Sequence, residues 1–358
     1  MLPTLGVLTA QRTGCSTSKH SLTATPPRLS ARLQPRRTPE APCTVCKACE
    51  PTAVLPNGLE VCYASKYDVS FLYREIFEEQ TYLQHGIKLG EGAVVVDVGG
   101  NIGFFALFAA ALVGSSGKVI TAEPIPTLYN KLGHNINFHK AWCSSQGMSA
   151  ANIIALPMGV GSGEQKTMEF TFFPAAAGWS TMYPDEEEVQ SAMQVFLERS
   201  LGNLRGIDSS WLTTAGQVLQ RNAPRWVTRQ VERTFVASMW QQQQKHECAM
   251  TTVSEIVQDH DLSRIDLLKI DVERAELDVL LGISETDWKL ISQAVLEVHD
   301  VQGRLQHVVD LLQKTAGFAS VYVTQDATLE GSTLYNIYCS RTTANSINST
   351  HTKQRVHG

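Results

Sequence analysis

The chain has 358 residues, 43% of them apolar, and a formal net charge of −5. That length accommodates one elaborated α/β domain with a sizeable core. The charge balance gives no electrostatic case for nucleic-acid binding. No apolar run is long enough to span a bilayer: the longest candidate, Val94 to Val113, carries Asp97 and Asn101 and is broken by glycines.

Residues 1–52 differ in composition from the rest. The first fifty hold seven basic residues and two acids, with abundant Ser, Thr and Pro. They read equally as an organellar transit peptide or as a disordered tail, and no apolar stretch after a basic start marks a secretory signal. The expected compartment is therefore a plastid, a mitochondrion or the cytoplasm. Cys43, Cys46 and Cys49 form C-x-x-C-x-x-C, with Cys62 the nearest fourth thiol; without a second pair this is weak evidence for a metal. Cys62, Cys143, Cys248 and Cys339 have no spacing pattern and are expected as reduced thiols.

The elements follow in chain order. Leu59 to Ala64 is expected as a strand and Tyr67 to His85 as an amphipathic helix. A turn at Gly90–Gly92 leads into a strand over Ala93–Val98 and a helix over Ile102–Leu112. A strand at Lys118–Ala122, a helix at Pro126–His139 with proline in its first turn, and strands at Asn152–Leu156 and Lys166–Phe173 follow. From about 174 to 250 the rhythm breaks into an inserted helical cap, with a helix expected over 185–201, a second amphipathic piece over 209–219, and a polar run at Gln241–Gln244 expected as a loop or a helix surface. Alternation resumes with a helix at Thr252–His260, a strand at Ile265–Ile270, a helix at Arg274–Leu281, a strand at Ala294–Val298 and a helix at Gln302–Lys314. Strands at Phe318–Thr324 and Leu334–Cys339 end the domain, which is expected over 53–341 with a disordered tail over 342–358. This order implies an α/β fold with a mainly parallel sheet and an antiparallel edge strand.

The most informative stretch is Val94-Val95-Val96-Asp97-Val98-Gly99-Gly100-Asn101-Ile102-Gly103, followed by Glu123-Pro124. It reads as strand, glycine turn and helix start, with an acid at the end of the next strand to take ribose hydroxyls. The spacing is D-x-G-x-N-x-G, not the dinucleotide fingerprint G-x-G-x-x-G, whose glycines crowd a pyrophosphate. S-adenosylmethionine has no phosphate and suits Asp97 and Asn101 near its amino group. A second group ends two later strands: Lys269-Ile270-Asp271-Val272-Glu273 and Glu297-Val298-His299. Period-two alternation puts Glu297 and His299 on one face. With Asp271 they would offer a base for a substrate hydroxyl, or ligands for a divalent metal. Lys269 is expected as the partner of a carboxylate.

With these motifs on the page, the chain resembles FkbM-type S-adenosylmethionine-dependent methyltransferases from about Gly58 to Cys339. The matching pieces are Asp97-Val98-Gly99-Gly100-Asn101-Ile102-Gly103, Ala122-Glu123-Pro124, Leu268-Lys269-Ile270-Asp271-Val272-Glu273 and Glu297-Val298-His299; Gly178-Trp179-Ser180-Thr181 also resembles a piece of some members. The resemblance implies a class I methyltransferase (Rossmann-like) fold with a seven-stranded sheet. It also implies O-methylation of a hydroxyl on a small metabolite, sugar or polyketide-like acceptor. Asp97, Gly99, Asn101 and Gly103 would then hold the cofactor's methionine end, Glu123 its ribose, and Asp271 would face the methyl group. The chain departs from the family at Gly100, usually Ala, and at Arg274, usually Gly. The alternatives are N-methylation, or a non-catalytic module that only binds the cofactor; no Asn/Asp-Pro-Pro-Phe/Tyr loop follows Asp271, which favours an oxygen acceptor.

Overall fold

The computed structural model describes residues 51–64, 66–185, 225–325 and 330–342, all within one compact unit, Cys43–Gly358. The cysteine triad, the basic N-terminal stretch, the helix expected over 185–201 and the amphipathic piece over 209–219 lie outside the described residues, apart from Asp185.

Seven strands form the central sheet: β3 (Val94–Val98), β4 (Lys118–Ala122), β5 (Asn152–Leu156), β9 (Leu267–Ile270), β10 (Gln293–His299), β11 (Ser320–Thr324) and β12 (Leu334–Ser340). A hairpin of β1 (Thr52–Val54) and β2 (Glu60–Cys62) precedes them. The sheet order is β11-β12-β10-β9-β3-β4-β5. The five strands from β10 across to β5 run parallel. The antiparallel member is β12, lying between β10 and β11 and pairing antiparallel with both. The chain crosses over after β5, so the carboxyl ends of β3 and β9 meet at the middle of the sheet, where open α/β sheets place their ligands.

Strand alternation divides the interior in two. Val95, Val119, Leu267, Val295 and Tyr338 face one core, filled by the helix Phe104–Val113 and the long helix Pro126–Ser145. Val96, Val98, Ile120, Leu268, Ile270 and Leu296 face the other, filled by Val253, Ile256, Val279, Val308 and Leu312. The Phe104–Val113 helix is buried almost all round, as a helix apolar on every face must be.

The inserted region contains more strand than its sequence suggests. Short β6 (Gly159–Val160), β7 (Thr167–Phe172) and β8 (Gln244–Thr251) form a second sheet in the order β6-β8-β7. The polar run expected as a loop or a helix surface therefore ends in the first residue of β8. Each residue from Gln244 to Ala249 finds a register partner on β7, with Gln244 opposite Phe172 and Ala249 opposite Thr167. A helix covers Arg225–Gln241. The first helix is also shorter than its periodicity predicts: Lys66–Leu72 passes into a π-helical turn, Tyr73–Glu78, and a separate 3-10 turn, Thr81–Leu83. Cys62, expected as a free thiol, is disulfide-bonded, so cysteine usage no longer argues for a reducing compartment; Cys143, Cys248 and Cys339 are free and buried. Among the described residues no helix is long and apolar enough to cross a membrane.

One buried amide ties the hairpin to the glycine turn. Asn135 Oδ1 accepts from Cys62 N at 2.6 Å, and its Nδ2 donates to Cys62 O at 3.0 Å and to Ile102 O at 2.7 Å. Asn135→Ala strands these backbone groups in the core and is expected to lower unfolding free energy by about 2–4 kcal/mol; chemical denaturation measures it, and a loss below about 1 kcal/mol contradicts this role.

Candidate active site

Strand register places the site residues in two rows across one face of the sheet. In the first, Asp97 stands opposite Thr121 on one side and Lys269 on the other, and Lys269 stands opposite Val295. The second row lies two residues further on, at the carboxyl ends. It runs Glu123, Gly99, Asp271, Glu297 and Asn336, the last two being direct cross-strand partners.

The glycine turn is shaped by its neighbours. Gly99 has φ +85°, and a Cβ there would lie 1.8 Å from the Asp271 carbonyl oxygen. At Gly100 a Cβ would meet Thr121 Oγ1 at 2.2 Å, and at Gly103, with φ +91°, Leu132 Cδ1 at 2.4 Å. The glycines are thus demanded by close packing of β3 on β9 and of the turn on the long helix. Asn101 takes a left-handed φ of 48°, as Asn tolerates, and its side chain accepts from Ile102 N at 2.8 Å.

Asp97 is wholly buried. Thr121 Oγ1 donates to its Oδ2 at 2.7 Å, and the Lys269 ammonium lies 3.2 Å from its Oδ1. Burial raises the Asp97 carboxyl above its ordinary value, with Lys269 opposing. Lys269 also lies 3.3 Å from Asp271 Oδ2 and donates to Gly99 O at 2.9 Å. Its burial disfavours the charged form, but the two carboxylates outweigh that and hold the ammonium well above the usual lysine range. Asp97 thus bears on Asp271 through Lys269, as a charge that keeps the ammonium in place. Glu123 sits at the β4 end, accepting from Asn101 N at 2.8 Å and Ile125 N at 2.9 Å. Burial pushes its carboxyl up to about 7, against the pull of those two bonds.

The third group is a set of acids. One oxygen each from Asp271, Glu273 and Glu297 lies within 4.8 Å of the others. Tyr82, absent from any motif, donates its hydroxyl to Asp271 Oδ2 at 3.1 Å. Burial, then Asp271, Glu75 and Glu273, hold the Glu297 carboxyl well above the carboxylate range. His299, expected to converge with Asp271 and Glu297, meets this set through Glu273: Nε2 lies 3.3 Å from Glu273 Oε2 and Nδ1 3.0 Å from Glu276 Oε1. Burial would lower its pKa, but these two contacts carry it well above the ordinary imidazole value, and the ring holds Glu273 in place.

The loop after β9 explains the departure at Arg274. Glu273 and Arg274 both have positive φ, 45° and 79°, so a glycine is the unstrained residue there and the arginine costs about 1–2 kcal/mol. The turn is tied down by Thr181 Oγ1 to Glu273 O at 2.6 Å, Arg304 Nη1 to Arg274 O at 2.7 Å and Arg274 N to Glu276 Oε1 at 2.7 Å. Arg274 Nη1 reaches out to Tyr183 O at 2.9 Å. The side chain thus holds the Thr181–Tyr183 segment against the acid-bearing loop. Tyr82, Thr121, Glu276 and Asn336 join the site without any sequence signal, since each is placed by tertiary contact.

This strand order, with a glycine turn after β3, an acid after β4 and acids after β9, defines a class I methyltransferase fold. The comparisons with known proteins agree. The Methyltransferase FkbM domain model matches residues 97–319. The 31-O-demethyl-FK506 methyltransferase FkbM of Streptomyces tacrolimicus is 33% identical over 291 residues, covering 81% of this chain and 97% of that protein. Methyltransferase sdnD of Sordaria araneosa is 27% identical over 274 residues, 75% of this chain and 89% of that one. The AMB antimetabolite synthetase AmbE of Pseudomonas aeruginosa is 30% identical over 80% of this chain, and the match spans only 12% of that protein. The chain belongs to the FkbM methyltransferase family, and its cofactor is S-adenosylmethionine.

The residues present fit that cofactor. Glu123 keeps acceptor capacity beyond its two backbone donors, as a carboxylate with about four lone-pair sites does, and ribose hydroxyls would fill it. The acids suit a sulfonium and an ammonium. Lys269→Met would leave Asp97 buried without its cation, costing about 3–5 kcal/mol of stability near neutrality. In the variant, Asp97 binds its proton more tightly folded than unfolded, so stability falls as pH rises through and above the ordinary carboxylate range. The deficit against wild type is therefore expected to shrink on acidification; melting curves across pH check it, and a pH-independent deficit contradicts the pairing.

Proposed function

We propose that this protein methylates a hydroxyl oxygen on a small-molecule acceptor, a sugar, polyketide-like compound or related metabolite. The observation that carries the reading is the position of Asp271. Its carboxylate follows β9, its backbone carbonyl packs against Gly99 of the glycine turn, and its side chain is about a quarter exposed beside Glu273 and Glu297. A hydroxyl placed there has a carboxylate within reach for its proton.

S-adenosylmethionine supplies an electrophilic methyl on a good leaving group, so the protein contributes alignment and a proton acceptor. Glu123, Gly99, Asn101 and Gly103 form the cofactor cradle, Glu123 toward the ribose. Asp97 acts through Lys269, which fixes Asp271 Oδ2 from behind together with Tyr82. Asp271 accepts the hydroxyl proton as the oxygen–methyl bond forms. Glu297 stands beside Asp271 on the acceptor side, and His299 positions Glu273. The name of the Streptomyces relative refers to a 31-O position, which supports an oxygen acceptor here, as does the Asp-Val-Glu-Arg sequence after β9.

Asp271→Asn is expected to bind S-adenosylhomocysteine with wild-type affinity by isothermal titration and to lose about 100- to 10,000-fold in kcat. The assay is transfer of labelled methyl from S-adenosylmethionine to a panel of hydroxylated and amino compounds. Unchanged turnover in Asp271→Asn removes its role as base; labelling of amines alone replaces the oxygen reading with nitrogen.

A further inference from the structure

We propose that Asp271, Glu273, Glu297 and Asn336 form a binding site for one hard divalent cation, such as Mg²⁺ or Mn²⁺, on the acceptor side of the cofactor. Three carboxylate oxygens already lie within 4.8 Å of one another, and carboxylate and amide oxygens are the donors such ions take.

The independent observation is Asn336. It is 6% exposed, and its Oδ1 has no hydrogen-bond partner among the described residues. A buried amide oxygen left unsatisfied costs about 1–3 kcal/mol. Asn336 is the direct cross-strand partner of Glu297, so both side chains leave the same face of the sheet from neighbouring positions, the face that carries the acids. A cation there would give Oδ1 the partner it lacks.

The carboxylates are also held as metal ligands are held, by groups behind them. Tyr82 and Lys269 both take Asp271 Oδ2, leaving Oδ1 for the rim. His299 takes Glu273 Oε2, leaving Oε1. Glu276, fully buried, fixes His299 in turn. Three acids this close repel one another, and a cation would relieve that. His299, with both nitrogens engaged, is excluded from the ligand set. The ion's use rests on the hydroxyl reading above: it would hold the acceptor's oxygen, favouring acceptors with a second oxygen beside the one methylated.

The test uses the full chain saturated with S-adenosylhomocysteine. Mn²⁺ binding is read by electron paramagnetic resonance and Mg²⁺ by competition, with melting curves alongside. One Mn²⁺ per chain is expected, with Kd at or below about 1 mM. Glu297→Gln, which keeps the side chain's size and removes its charge, and Asn336→Leu, which removes the unpaired amide, should each weaken binding about 10- to 100-fold. Absence of saturable Mn²⁺ binding by folded wild type overturns the site, as does binding unchanged in a folded variant of either kind. Because the ion is counted without acceptor or turnover, the two readings fail separately. Undiminished methyl transfer to a hydroxyl by metal-free protein overturns the ion's part in the reaction and leaves the hydroxyl reading standing. A bound ion in a protein that methylates only amines overturns the hydroxyl reading alone.

Discussion

The structure turns on one buried ammonium. Lys269 lies between Asp97 and Asp271 and also donates to the Gly99 carbonyl. It joins the two central strands β3 and β9, the glycine turn and the proposed base in a single contact set. A buried ion pair is weak evidence for stability, because desolvation offsets most of the attraction. Its value here is positional. With a carboxylate on each side, the ammonium stays charged although its environment is dry, and it can only be satisfied when the ends of β3 and β9 are in register. The phenyl ring of Phe105 and the phenol ring of Tyr82 lie over it at 5.7 and 5.4 Å, adding cation–π contacts to the ion pairs. Asp97, the acid that opens the glycine motif, is also the counter-charge of that ammonium.

The loop after β9 shows the same economy. Two consecutive residues in the left-handed region are costly unless glycine supplies them, and the family's usual glycine is absent at Arg274. The strain persists because the surroundings over-determine it: Thr181, Arg304 and Glu276 each bond the turn's backbone. In exchange the arginine side chain gains a hold on Tyr183, whose hydroxyl donates to Asp278 at 2.8 Å. The start of the inserted segment is thereby fastened at three points beside the acids. A substitution that looks unfavourable from backbone preference alone becomes intelligible as a fastening between scaffold and insert.

What the sequence made legible follows from the range of the forces involved. The strands and helices of the alternating core are periodic and apolar, so Val94–Val98, Lys118–Ala122 and Asn152–Leu156 could be read directly. The glycine turn and the acids at strand ends are local, so Glu123 and Asp271 could be placed. Lys269 could be read as a carboxylate partner because an uncompensated lysine does not stay in a buried strand. The misses are long-range. Strand β8 has a polar beginning and is held by pairing with β7. Tyr82 reaches Asp271 across 189 residues of sequence. Alternation puts His299 on the same face as Glu297, but nothing local says that Glu273 and Glu276, the latter at the start of the helix after β9, take its two ring nitrogens.

The two rows also set an order along the site. From β4 to β12 the second row passes from Glu123 through Gly99 and Asp271 to Glu297 and Asn336. Adjacent strands are about 4.8 Å apart, and Glu123 and Asp271 are two strands distant; in the proposed arrangement the body of the cofactor lies between them. In the proposed arrangement the acceptor then lies over β10 and β12. That is where β12 runs antiparallel, turning its own strand start, not its end, toward the site. The reversal is what delivers Asn336 beside Glu297: a parallel strand in that place would present its carboxyl end and a connecting loop. The antiparallel insertion thus gives the acceptor side a wall of paired strand, where the cofactor side has a glycine turn. Chemistry that depends on aligning a hydroxyl with a methyl group gains from a fixed wall on the acceptor side, because misplacement of about 1 Å can cost about 100-fold in rate.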